Sequence, residues 1–224
     1  MTPREIFLHA LRAHGDPTGI AWFEGVVSRV RQGSLSDLLN AYTAAGTRLG
    51  LARFTSLGPG LPDDVAALPP AHWTTADAGR LVLLLTRFES LADGEKAASD
   101  ASACYEQGDA SEQQSWLKGA ALLPEPERFL WRMIDACRTN IVPNFEAVAC
   151  ENVYPARYFP EANFNQLVLK ALFNGIALAR IAGLPQRANP ELARMAADYA
   201  AERRAANRSV PADIALAMGA TESS

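Results

Sequence analysis

An all-α fold, with antiparallel helix pairs stacked in a HEAT-like right-handed arrangement, is what this sequence predicts. Helix-start patterns such as Thr2-Pro3-Arg4-Glu5, Asp16-Pro17 and Asn189-Pro190 recur along it, each followed by apolar residues at helical spacing. No stretch keeps the strict apolar–polar alternation of a strand. Pro and Gly turns between short helices favour antiparallel neighbours.

Taken in order, the first helix opens at the capping box of Thr2 and Glu5 and ends at Gly15. The second starts at Asp16-Pro17, carries Ile20, Trp22, Phe23, Val26, Val27 and Val30, and closes at Gly33. A third runs from about Ser36 to Arg48. Residues 50–72, with LGPGLPDDVAALPPAH at 57–72, read as a long loop. Helix returns at Thr75 with Leu81, Leu83, Leu84, Leu85 and Phe88.

Residues 92–113 are small and acidic, with Asp93, Glu95, Asp100, Glu106, Asp109 and Glu112 against a lone Lys96. They read as a second loop: a weak helix and a solvated turn at Gly108-Asp109, too poor in apolar area to order tightly. Ser111 and Pro126 open further helices, with Trp116, Leu117, Phe129, Trp131 and Ile134 expected inward. Organisation follows: one helical domain over 1–218, of which 1–122 is the half with the two loops, and a disordered tail at 219–224.

Composition excludes several function classes. The 224 residues carry a formal charge of −4 and a pI near 5.4, which argues against nucleic acid as a partner. The longest apolar run, LVLLL at 81–85, is far short of the roughly 20 residues that span a bilayer. Glu5 stands where a signal peptide would be basic, so no targeting segment is read and a cytoplasmic protein is expected. Cys104, Cys137 and Cys150 are odd in number and lack ligand spacing, and His9, His14 and His72 form no H-x-x-x-H pair. No metal is therefore expected. G-x-S-x-G, GxxxxGK[ST], G-x-G-x-x-G and H-E-x-x-H are all absent, so no cofactor is expected either.

The stretch that carries chemistry is ENVYPARYFPEANFNQLVLKALFNG at 151–175. On a helix over 161–174, Asn163, Gln166, Lys170 and Asn174 fall on one stripe. Phe164, Val168, Ala171 and Leu172 fall on another, turned toward the core. A solvated helix face usually carries Lys and Glu; amides are poor choices for solubility alone. Between 157 and 208, Lys and Arg outnumber Asp and Glu by eight to four, against an acidic remainder. A locally cationic groove would attract a carboxylate or phosphate ester.

The expected groove is lined by Asn163, Gln166 and Lys170 and floored by the helix over 189–206, with Tyr154 and Arg157 at its rim. Asn152, Arg194 and Arg203 complete the expected ligand-binding set, Lys170 with either arginine holding a negative charge. Under an enzymatic reading, Glu151, Tyr154 and Lys170 would perform acid–base work, provided they are buried together.

These phrases resemble a known family. ENVYPARYFPEANFNQLVLKALFNG, RIAGLPQRANPELARMAADYAAERRAANRSVP at 180–211 and LPEPERFLWRMIDACRTNIVPNFEAVACEN at 123–152 look like the EboA family of bacterial metabolite-traffic proteins. The resemblance is specific over 123–213, the signature half, and rests on helicity alone before that. The family's motif falls on Asn152, Tyr154, Pro155, Asn165, Gln166, Lys170, Arg187, Arg194, Glu202, Arg203 and Arg208, with Val153 where Pro would stand. It implies handling of a small secondary-metabolite precursor, anionic or prenylated, beside a UbiA-like membrane prenyltransferase, and so a cytoplasmic place peripheral to the inner membrane. Two functions follow: a non-catalytic binding or adaptor protein, and a cofactor-independent isomerase or cyclase. A flat polar face would suit an adaptor, and a cavity lined by the polar groups a carrier or an enzyme.

Overall fold

In a computed structural model, residues 1–57 and 68–219 are described. The middle of the loop expected at 50–72, and all of the expected tail but Gly219, lie outside them. The described residues are overwhelmingly helical and hold no strand, only the isolated bridges Arg53–Thr74 and Cys150–Ile181. Among the described residues no helix is long and apolar enough to cross a membrane. The chain divides into two compact units, Met1–Phe129 and Leu130–Ser224.

The first unit holds α1 (Pro3–His14), α2 (Pro17–Gln32), α3 (Leu35–Leu49), α4 (Thr75–Ser90), α5 (Gly94–Glu106) and α6 (Ala110–Gly119). Capping boxes open α1, α3, α4 and α6, where Thr2, Ser34, Thr74 and Asp109 exchange bonds with the residue three further on. Each box satisfies donors that the first turn leaves orphaned. A HEAT-like stack would give each helix pair contacts with its neighbours in sequence. Here α4 instead packs against α1, α2, α3, α5 and α6, and every residue from Thr75 to Arg87 is buried.

Burial on all sides forces the polar residues of α4 to find partners. Arg87 pairs with Asp100 at 2.7 Å and donates to the Gly33 carbonyl at 2.8 Å. Arg80 donates to the Tyr42 carbonyl and to the Ser115 hydroxyl. Asp77 accepts from Ser115 Oγ and Lys118 Nζ.

Those partners overturn the loop expected at 92–113, which is α5, a turn and the start of α6. The acids there have structural roles: Asp93 and Asp109, though exposed, cap helices, and Asp100 and Glu112 are buried with Arg87, Lys96 and Arg80 as counter-charges, while Glu95 and Glu106 stay exposed. The small residues Ala97, Ala98, Ala101 and Cys104 are buried. Trp116 supplies the bulk they lack, its indole N–H donating to the Ala101 carbonyl at 2.8 Å.

The second unit holds α7 (Leu130–Ala136), α8 (Val142–Ala149), α9 (Tyr154–Tyr158), α10 (Glu161–Phe173), α11 (Leu184–Arg187) and α12 (Pro190–Ala205). Phe164, Val168, Ala171 and Leu172 of α10 are buried as expected, and so are Leu192, Ala196 and Tyr199 of α12. Side-chain amides fix the joints. Asn165 and Asn189 exchange two hydrogen bonds, and Asn189 also caps α12 at Leu192 N. Arg187 lies over the Phe164 ring and donates to the carbonyls of Ala156 and Phe159 at the end of α9. Gly183, at φ +72°, faces Ala156 so closely that a Cβ would stand 2.6 Å from it. Trp131, expected inward, is 69% exposed, because its position on α7 faces away from buried Met133 and Ala136.

Candidate functional site

Helix α10 has a Pro-led start and a buried apolar stripe, which together fix the direction of its polar stripe. Three of its expected members meet in one pocket of about 300 Å³: Asn163, Gln166 and Lys170. Across from them stand Ile134 on α7 and Cys137 and Arg138 in the turn that follows. Phe159 and Leu167 supply apolar wall.

Lys170 is the anchor. Its ammonium donates to the Cys137 carbonyl at 2.6 Å and the Thr139 carbonyl at 2.7 Å, and lies 5.2 Å from the Phe145 ring centroid. Its contacts thus tie the turn after α7 to α10. An ammonium has three N–H groups, so one remains. No carboxylate is among its partners in the described residues. The side-chain amides of Asn163, half-buried, and Gln166, exposed, bond to no described residue.

The rest of the rim is balanced. Arg138 pairs with Asp135 at 3.3 Å and stacks 5.4 Å from the exposed Trp131 ring centroid. Cys137 donates its thiol to the Met133 carbonyl, and burial pushes the thiol up to about 12 despite the nearby Lys170 charge. It is not a thiolate nucleophile at neutral pH.

The other expected groups are elsewhere. No residue of 189–206 lines the pocket: α12 meets α10 through the Asn165–Asn189 pair and through Tyr199, which donates to the Leu172 carbonyl and meets the Phe173 ring edge-on. That is another face of α10, so the expected floor is replaced by the end of α7. Arg194 is exposed between Glu191 and Asp198, and Arg203 donates to the Ser209 carbonyl. Asn152 is buried, bridging the Ala147 carbonyl and the Tyr154 N–H as a turn-forming amide. Arg157 is exposed on α9 and does not line the pocket.

Glu151, Tyr154 and Lys170 do not form one cluster. Glu151 sits at φ +50°, a conformation few non-glycine residues adopt, and is gripped by Arg180 through both carboxylate oxygens at 2.8 and 3.0 Å. Arg180 also holds Glu146 at 2.6 Å, and its own pKa is raised, by the bond to Glu151 above all. Tyr154 is fully buried against the rings of Tyr158 and Phe159. Only Lys170 of the three reaches the pocket.

Sequence reasoning missed Ile134, Cys137, Arg138 and Phe159. A signal existed: Trp131, Ile134 and Arg138 recur at i, i+3 and i+7, which would put them on one helix face. Their apolar members pointed to the core instead.

Compared with known proteins, residues 5–219 match the family model described as Metabolite traffic protein EboA. That span takes in the first half of the chain as well as the 123–213 signature. No curated protein and no solved structure matches.

Proposed function

The chain belongs to the EboA family of metabolite traffic proteins, and from that membership we propose that it binds a small metabolite without transforming it, in the pocket between the end of α7 and α10. The metabolite would be a secondary-metabolite precursor met in the cytoplasm. Its recipient would be a UbiA-like membrane prenyltransferase, which the chain would approach as a peripheral adaptor at the inner membrane.

One observation carries the binding reading: two side-chain amides and a cation, with no hydrogen-bond partner for the former and no carboxylate for the latter among the described residues, share one concave, partly apolar wall. A few convergent polar groups on apolar lining are the usual make-up of a small-molecule site. The isomerase or cyclase reading draws no support from the geometry, because Glu151, Tyr154 and Lys170 are not assembled.

The test compares wild type with Asn163→Leu/Gln166→Leu, whose altered side chains hydrogen-bond to nothing in the described residues. Each protein is incubated with an extract of the source cells, re-isolated, and its released small molecules identified by mass spectrometry. A compound retained unaltered by wild type and lost from the double variant supports the reading. Equal retention by both moves the site elsewhere, and a chemically changed compound restores the enzyme.

A further inference from the structure

We infer that the α7–α10 pocket takes a small monocarboxylate with a compact apolar body. The inference deepens the binding reading above and rests on it.

Charge decides the head group. The pocket and its immediate partners hold three formal charges: Lys170, Arg138 and the Asp135 that neutralises Arg138. The sum, two positive and one negative, is +1. The Cys137 thiol adds nothing at neutral pH. A carboxylate brings one negative charge and balances the site. A phosphate monoester brings about −1.5 to −2 at pH 7 and would leave excess negative charge.

Hydrogen bonding agrees. One N–H remains on Lys170, and the amide groups of Asn163 and Gln166 offer two each, all in single-point geometry. A carboxylate has about four acceptor sites and can use that set. Phosphate is more often gripped by a guanidinium fork or a helix N-terminus; here the one guanidinium among the lining residues gives one Nη to Asp135 at 3.3 Å and lies over the exposed Trp131 ring. A neutral amide ligand would waste the cation.

Size and lining decide the body. About 300 Å³ is the small end of ligand pockets and the volume of roughly ten water molecules. Ile134, Phe159 and Leu167 make the wall away from the polar stripe apolar. The tail of the ligand is therefore short and apolar.

The experiment titrates the full chain with 3-phenylpropionate, its neutral amide and phenyl phosphate, following the side-chain amide signals of Asn163 and Gln166 by NMR. Those signals are assigned with Asn163→Leu and Gln166→Leu. The acid is expected to shift both signals and to bind at least tenfold more tightly than the amide or the phosphate. Gln166→Glu, which adds a negative charge at an exposed position whose side chain bonds to no described residue, should weaken the acid at least tenfold. The new carboxylate stands four residues before Lys170, so the melting temperature should hold or rise slightly. An amide or phosphate that binds as tightly as the acid overturns the monocarboxylate assignment while leaving a ligand pocket in place. Silence from all three probes overturns it too, and retention in the extract experiment then decides separately whether the pocket is the metabolite site. Equal affinity of wild type and Gln166→Glu for the acid also overturns it.

Discussion

Replacing Lys170 by Met keeps the length and apolar stem of the side chain and removes its charge and donors. The stripe geometry alone would make this a change in binding with little effect on stability. The structure reverses that expectation. Two bonds of 2.6 and 2.7 Å to the Cys137 and Thr139 carbonyls are lost, together with the approach of the ammonium to Phe145. Hydrogen bonds to a charged donor contribute about 1.5–3 kcal/mol each when well buried. Lys170 is half-buried and water can satisfy part of the freed carbonyls, so about 1 kcal/mol per bond is the better figure. The ring contact adds about 0.5–1 kcal/mol. The sum is about 2.5–3 kcal/mol, or roughly 5–12 °C in melting temperature for a chain of this size. Urea unfolding followed by far-UV circular dichroism reads it directly, as a lowered midpoint at constant slope. A loss under about 0.5 kcal/mol, the range of an ordinary surface change, would refute the reasoning and return Lys170 to the role of a ligand group alone.

Asp100→Asn should cost about 3–5 kcal/mol in the same assay, because it strands the buried Arg87 guanidinium without its counter-charge; a cost below 1 kcal/mol would mean that the Gly33 carbonyl suffices. Asp77 should make stability fall in acid: burial alone would raise its pKa, but the Lys118 charge and the Ser115 and Thr74 hydrogen bonds outweigh burial and hold it below 3.8. Its contribution is present above the unfolded value of 3.8 and is lost as pH falls through the lower folded value, so Asp77→Asn should flatten the drop in unfolding midpoint below about pH 4. All three thiols are pushed up to about 12 by burial, so iodoacetamide at pH 8 should leave Cys104, Cys137 and Cys150 unmodified in the native protein and label them in urea; rapid native labelling of Cys137 would show that the α7 turn opens.

The sequence by itself determined the helical class and the local ends of helices. Thr2, Asp16 and Asn189 cap helices where their side chains and the following Pro said they would, because capping bonds span only three residues. It also determined the α10 stripe, since 100° per residue sets Asn163, Gln166 and Lys170 on one side regardless of what packs there. It did not determine what faces that stripe. The end of α7 and not α12 lies across the pocket, a choice made by the Asn165–Asn189 pair and the Tyr199 contacts, whose partners are 24 and 27 residues apart. The same limit explains residues 92–113. An acidic, alanine-rich stretch reads as solvated until Arg87, thirteen residues before Asp100, supplies the buried charge that makes the acid stabilising. Periodicity records which side chains share a face; only tertiary packing decides which charges meet, because pairing energy depends on burial and distance that no local window contains.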